Sequence, residues 1–301
     1  MIEQLTFGGF YDQNHDVDIL YTRNYGVTIQ FDQKKQLDQI RYQMKTICAK
    51  KAENWMWEVT MDKTALYVND KIPDSFKQRL DVNFGTTVLY PISVLVTPSG
   101  IIKGISDLSF SAITERFKTF KKKTLQENSG TSIEDYLLNL GKGIATKKKL
   151  IRYLTFDWFW ALYFAPVYND TAKKLVMPFQ TNVPKISYMG DLIEKTELSY
   201  YNTRQLTFDG KVSNAYFKQY PSTKYYKAGI KLKYDFDSNN GRIANIVSDQ
   251  SIIEKQNVIQ RILVNIDYLP EKDAMESSVE NNEEGTQKPT FKNKILKWWN
   301  A

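Results

Sequence analysis

Four separate runs in the first hundred residues carry apolar side chains at every second position, a period that suits a strand with one buried face and does not suit a helix. Tyr25, Val27, Ile29 and Phe31 alternate with Gly26, Thr28 and Gln30. From Leu37 to Cys48 the even positions Ile40, Tyr42, Met44, Thr46 and Cys48 oppose Arg41, Gln43 and Lys45. Trp55, Trp57, Val59 and Met61 form a third face, and Val88, Tyr90, Ile92, Val94 and Val96 a fourth. An antiparallel sheet is the economical way to bury all four. Thr97-Pro98-Ser99-Gly100 then has the chemistry of a tight turn, so Ile101 to Ile105 should return as a strand.

Beyond that turn the period lengthens. Ser106 or Asp107 can cap a helix in which Phe110, Ile113, Phe117 and Phe120 recur at helical spacing. A second helix should start near Thr131 or Ser132, and a third, rich in aromatic residues, should run from about Lys149 to Phe164 before Pro166 stops it. Strand periodicity resumes in Ile230, Leu232, Tyr234 and Phe236, followed by the turn Asp237 to Gly241, then Ile243 and Ile246. This hairpin echoes the one from Tyr90 to Ile105. The echo suggests an internal duplication: an α+β fold of two related antiparallel β-sheet lobes, residues 1–126 and 169–269, joined by a helical connector over 127–168. Residues 270–290, acidic and nearly without bulky apolar side chains, read as a disordered linker. Residues 291–301 read as a short amphipathic helix with Phe291, Ile295, Trp298 and Trp299 on one side.

The chain's 301 residues are enough for a sizeable core, and 19 Tyr with 16 Phe favour β structure over disorder. A single cysteine, Cys48, cannot form an internal disulfide and reads as buried and inert. The first twenty residues lack a basic segment followed by an apolar one, so the expected location is cytoplasmic. Leu150 to Val167 is the most apolar stretch, but Arg152, Asp157 and Pro166 leave it too short to cross a bilayer.

The residue inventory argues against several chemistries. His15 is the only histidine and sits in a polar run, so neither a Ser-His-Asp site nor a Cys/His zinc site is supported. The run Asp12 to Asp18 imitates the start of a calcium loop, then places Val17 where the turn needs glycine. Gly141-Lys142-Gly143 lacks the spacing of a phosphate-binding loop. No cofactor and no metal is expected. Glu53, Glu58 and Asp62 lie around Trp55 and Trp57, which keeps a carboxylate-based hydrolase acting on a polar substrate as one alternative.

Two features suggest binding. Lys121, Lys122, Lys123, Lys147, Lys148, Lys149 and Arg152 form the densest basic region, able to attract an anionic partner such as nucleic acid or a lipid surface if they share a face. The net charge of +7 has the same sign. The C-terminal Phe291, Ile295, Leu296, Trp298 and Trp299 end a polar tether, where exposed tryptophans need a groove, a membrane or the protein's own body to receive them. The leading expectation is therefore a non-catalytic adaptor, chaperone or assembly subunit that holds a protein partner through sheet surfaces and this tail.

Overall fold

The alternating runs become strands that hydrogen-bond in chain order. In the computed structural model, which describes residues 5–10, 19–33, 36–50, 56–128, 130–168, 174–177, 186–195, 203–212, 226–254 and 256–270, a small hairpin comes first: β1 (Leu5–Thr6) and β2 (Gly9–Phe10). The first three runs become β3 (Ile19–Gln33), β4 (Gln36–Lys50) and β5 (Trp57–Val68). The fourth is shorter than its periodicity suggests. Pro91 supplies no ladder donor, so β6 begins at Ile92 and ends at Val96. Val88 instead closes a π-helical turn, Phe84–Val88, which continues helix α1 (Phe76–Asn83). After the anticipated turn, where Gly100 takes a positive φ and its N–H donates to the Thr97 carbonyl, comes β7 (Ile102–Ile105).

Four helices follow. Ser106 caps α2 (Asp107–Glu127) by accepting from the Ser109 N–H. Helix α3 (Thr131–Ile144) starts after Gly130 with no side-chain cap, although Thr131 and Ser132 offered one. The expected single aromatic helix is two. Helix α4 (Lys147–Leu154) stops, and α5 (Trp158–Tyr163) restarts where the Asp157 carboxylate accepts from the Phe159 N–H, because a short acidic side chain favours capping over helix interior.

The remaining strands are β8 (Lys174–Met177), β9 (Ile186–Glu194), β10 (Thr203–Val212), β11 (Tyr226–Asp237), β12 (Ile243–Glu254) and β13 (Asn257–Leu269).

These strands do not form two lobes. Eleven of them make one antiparallel sheet in the order β7-β6-β5-β4-β3-β13-β12-β11-β10-β9-β8. The seam is the pairing of β3 with β13, continuous from Gln33 opposite Gln260 to Asn24 opposite Leu269. The echoed hairpins occupy different places, β6–β7 at one edge and β11–β12 in the sheet interior, so the likeness between them is shared hairpin chemistry. Alternation specifies which side of a strand is buried but not which strand lies beside it. The acidic linker and C-terminal helix expected over 270–301 lie outside the described residues, apart from Pro270 itself.

Alternation does set the layers. Tyr25, Val27 and Ile29 of β3, Met44 and Cys48 of β4, Val59 and Met61 of β5, Tyr234 and Phe236 of β11, and Val264 and Ile266 of β13 are buried on one face. The helices carry the chain from the β7 edge to the β8 edge across this face, with α4 against β7 and α5 against β8. Phe159 and Tyr163 of α5 pack on Tyr25, and the Tyr234 hydroxyl donates to the Leu162 carbonyl. From the small β1–β2 hairpin, Phe7 stacks on Phe164 and meets Tyr163 and Tyr168 edge-on. The aromatic stretch 156–164 is thus largely core, as burial on every side of a helix implies.

Candidate functional site

Half-buried Asp157 ties the sheet to α5. Besides capping α5, its carboxylate accepts from the Tyr42 hydroxyl at 2.9 Å and from Lys63 Nζ at 2.6 Å. Lys63 also stands 3.9 Å from the centre of the Tyr42 ring. Burial, with the Asp157 charge adding to it, pushes the Tyr42 phenol well above its ordinary pKa, so the phenol stays a donor. Each member of this cluster has its partners, which makes it a clamp between the sheet and α5.

The basic residues are divided between two places. Lys147 pairs with Asp107 at 2.5 Å, placing the start of α4 beside the start of α2. Lys121, Lys122 and Lys123 lie fourteen to sixteen positions further along α2, about 21 to 24 Å away at 1.5 Å per residue. All three are exposed, and Lys123 approaches Glu127 at 3.9 Å. Lys148, Lys149 and Arg152 are exposed on α4. Between α1 and the far half of α2 is an open groove of about 730 Å³. Phe76, Leu80 and Phe120 line it together with Arg79, Arg116 and Lys123.

Of the acids considered for hydrolysis, Glu53 lies outside the described residues. Glu58 and Asp62 are four positions apart on the outward side of β5, about 13 Å by strand geometry, which separates them too far for a shared reaction centre. Gly141 and Gly143 sit inside α3, where a Cβ would press on Phe117 and Tyr153, so their role is close helix packing. Cys48 is fully buried, and desolvation raises its thiol pKa. His15, the run Asp12 to Asp18, and the tail residues Phe291, Ile295, Leu296, Trp298 and Trp299 lie outside the described residues. Among the described residues no group of three or more His, Cys, Asp or Glu is placed to hold a metal ion, and no helix is long and apolar enough to cross a membrane.

Two places in the sheet were not singled out by sequence patterns. At one edge, β8 pairs with β9 only from Ile186 to Met189, whereas β10 pairs with β9 as far as Glu194. Gly190 to Glu194 therefore has an open backbone side among the described residues. On the outward face around it, Val176, Met189 and Ile193 are 46%, 51% and 60% exposed. Beside this edge Gly190 and Gly210 oppose each other across β9 and β10. A Cβ on Gly190 would run into the Asp209 carbonyl oxygen, so glycine is what permits this approach of two backbones. The edge was invisible in sequence because β8 is four residues long and its pairing partner is set by the fold.

The second place is on the inner face of β12 and β13, further along the sheet than the contacts made by α5. Ser248 and Gln250 are fully buried and Gln260 is 8% exposed. Among the described residues, Ser248 Oγ, Gln250 Nε2 and Gln260 Nε2 have no hydrogen-bond partner. The signal for these was present: polar residues at positions that the strand period assigns to the core.

No protein-family model matches the chain, and no curated protein matches it. Among solved structures, the chain is similar to one described as "lipid-protein interactions in lipovitellin", with a TM-score of 0.40 and 9% identity. The match covers 83% of this chain and spans 25% of that one. At this level the likeness transfers neither fold nor function.

Proposed function

We propose that the protein is a non-catalytic binding protein, of the adaptor, chaperone or assembly-subunit kind, that takes an extended segment of a protein partner along the open edge of β9. The observation that carries this reading is the side of Gly190 to Glu194 that is unpaired among the described residues, beside exposed Val176, Met189 and Ile193. An added strand satisfies the free backbone groups, and its alternate side chains cover the apolar outward face. Backbone pairing supplies affinity and the apolar side chains supply selectivity. The C-terminal Phe291 to Trp299 segment is proposed as a tethered second contact, which raises the effective concentration of the partner at the edge.

The test is affinity capture from native cell extract with three forms: the full chain, the variant Met189→Lys with Ile193→Lys, and a truncation at Pro270. The reading expects a stoichiometric protein on the full chain, lost or strongly reduced with the lysine variant, and weakened by the truncation. With that protein bound, hydrogen exchange at 190–194 should slow. Capture that is unchanged by the lysine variant removes the edge from the proposal, and capture that is unchanged by truncation removes the tail.

A further inference from the structure

We infer that the inner face of β12 and β13 binds a small, uncharged molecule with an apolar body and hydrogen-bond-accepting oxygens, held by Ser248, Gln250 and Gln260. This site is independent of the β9 edge, and neither test bears on the other.

Three polar side chains share one buried neighbourhood. Ser248 and Gln250 are two apart on β12 and face the same way. Gln250 is opposite Ile262 and Ile252 is opposite Gln260, so Gln260 sits diagonally across from Gln250. A buried polar group left unpaired is destabilising, and most are satisfied by protein or by ordered water. Here three unpaired groups fall on one side of two adjacent strands, at positions whose neighbours Ile252, Ile262 and Val264 show that apolar residues fit.

The chemistry of the free atoms selects the ligand. The Tyr188 hydroxyl donates to Gln250 Oε1 at 3.3 Å, which turns the Gln250 amide so that Nε2, a donor, is the free end. Gln260 also presents Nε2, and the Ser248 hydroxyl can donate or accept. The site thus offers donors and calls for acceptor oxygens. Across the sheet from Gln250 on this face lie Ile230, Gly210 and Gly190 on one side and Ile262 and Phe31 on the other, and the first carboxylate in that row is Asp38, three strands away. An anion would meet no countercharge there and a cation no carboxylate, so the ligand is neutral. The space that a Cβ on Gly210 would take is filled by the Phe208 ring and Tyr188, which wall the patch on that side.

Nile red is a suitable probe, because it is uncharged and apolar, carries acceptor oxygens, and brightens with a blue shift when it leaves water. The purified full chain is titrated with the dye. The inference expects saturable uptake near one equivalent. Gln250→Leu with Gln260→Leu should weaken uptake at least about tenfold while the melting temperature holds or rises, since apolar isosteres remove unpaired donors. Ser248→Ala, a smaller change that spares the fold, should weaken uptake about threefold to tenfold, as expected for one lost hydrogen bond. Absence of saturable uptake by the full chain overturns the inference. So does equal affinity in the full chain and the Ser248→Ala variant, or a crystal structure grown with the dye in which ordered water alone occupies the three side chains.

Discussion

Lys63 Nζ and Asp157 Oδ2 lie 2.6 Å apart, joining the inner face of β5 to the first turn of α5. With side chains 9% and 21% exposed, the pair is partly shielded from water, and its geometry is shared with Tyr42 and the Phe159 N–H. Removing one partner strands the other, whereas removing both spares that penalty. A double-mutant cycle with Lys63→Met and Asp157→Asn should give single-variant losses of about 2–4 kcal/mol and a coupling of about 1–3 kcal/mol, measured by urea unfolding. Additive losses would show that the two side chains act separately.

Gly190 gives a sharper steric forecast. Its absent Cβ would collide with the backbone of β10, which cannot give way as a flexible side chain does. Gly190→Ala should destabilise by about 2–4 kcal/mol. Gly104→Ala, in β7 with nothing within 4 Å of the new methyl, should change stability by no more than about 0.5 kcal/mol. Thermal melts of the two variants side by side decide the matter.

Phe7 tests whether the small N-terminal hairpin belongs to the core. It is 1% exposed and touches Trp57, Tyr163, Phe164 and Tyr168. Phe7→Ala should cost about 3–5 kcal/mol, read from the shift in the denaturant midpoint. A loss below about 1 kcal/mol would mean that the hairpin docks late and loosely.

Alkaline pH should unfold the protein abruptly. Burial raises the phenol pKa of Tyr21, Tyr25, Tyr42, Tyr90, Tyr163, Tyr168 and Tyr234 above the usual 10. Since the folded values are the higher ones, the unfolded chain gives up its protons first. The stability tied to these neutral phenols is fully present below about pH 10 and lost as pH rises beyond it, by as much as about 1.4 kcal/mol per pH unit for each tyrosine. Tyrosinate absorbance and the loss of far-ultraviolet circular dichroism should rise together in one steep transition. Gradual tyrosinate formation with the circular dichroism intact would contradict the burial of these rings.

Much of the sheet could be read from alternation alone, because a strand with one wet and one dry face writes its period into the residues. Tyr25 to Phe31, Ile40 to Cys48 and Ile230 to Phe236 each showed their buried side correctly. What alternation does not encode is adjacency. Nothing in the residues of β3 announces that its second neighbour is β13, and that pairing is why one sheet forms where two lobes were expected. The break between α4 and α5 rested on a single carboxylate, Asp157, inside a run of aromatic side chains that read as a continuous helix. The β9 edge and the inner polar patch were hidden for different reasons. The first depends on where a four-residue strand stops; the second stood in the sequence as Ser248, Gln250 and Gln260, three polar residues in core register whose number became telling only once β12 and β13 were neighbours.

The pairing of β3 with β13 also imposes an order of events during synthesis. A ribosome delivers β3 early, and almost all of the described chain must emerge before its partner exists. Throughout that interval one flank of β3 stands open, as part of a nascent meander running from β3 to β7, and can recruit the wrong strand from a neighbouring nascent chain. Completion waits on β13, so a chain stopped before Asn257 should be captured by holdase chaperones and sediment as aggregate, while emergence of β13 closes the seam in a single step.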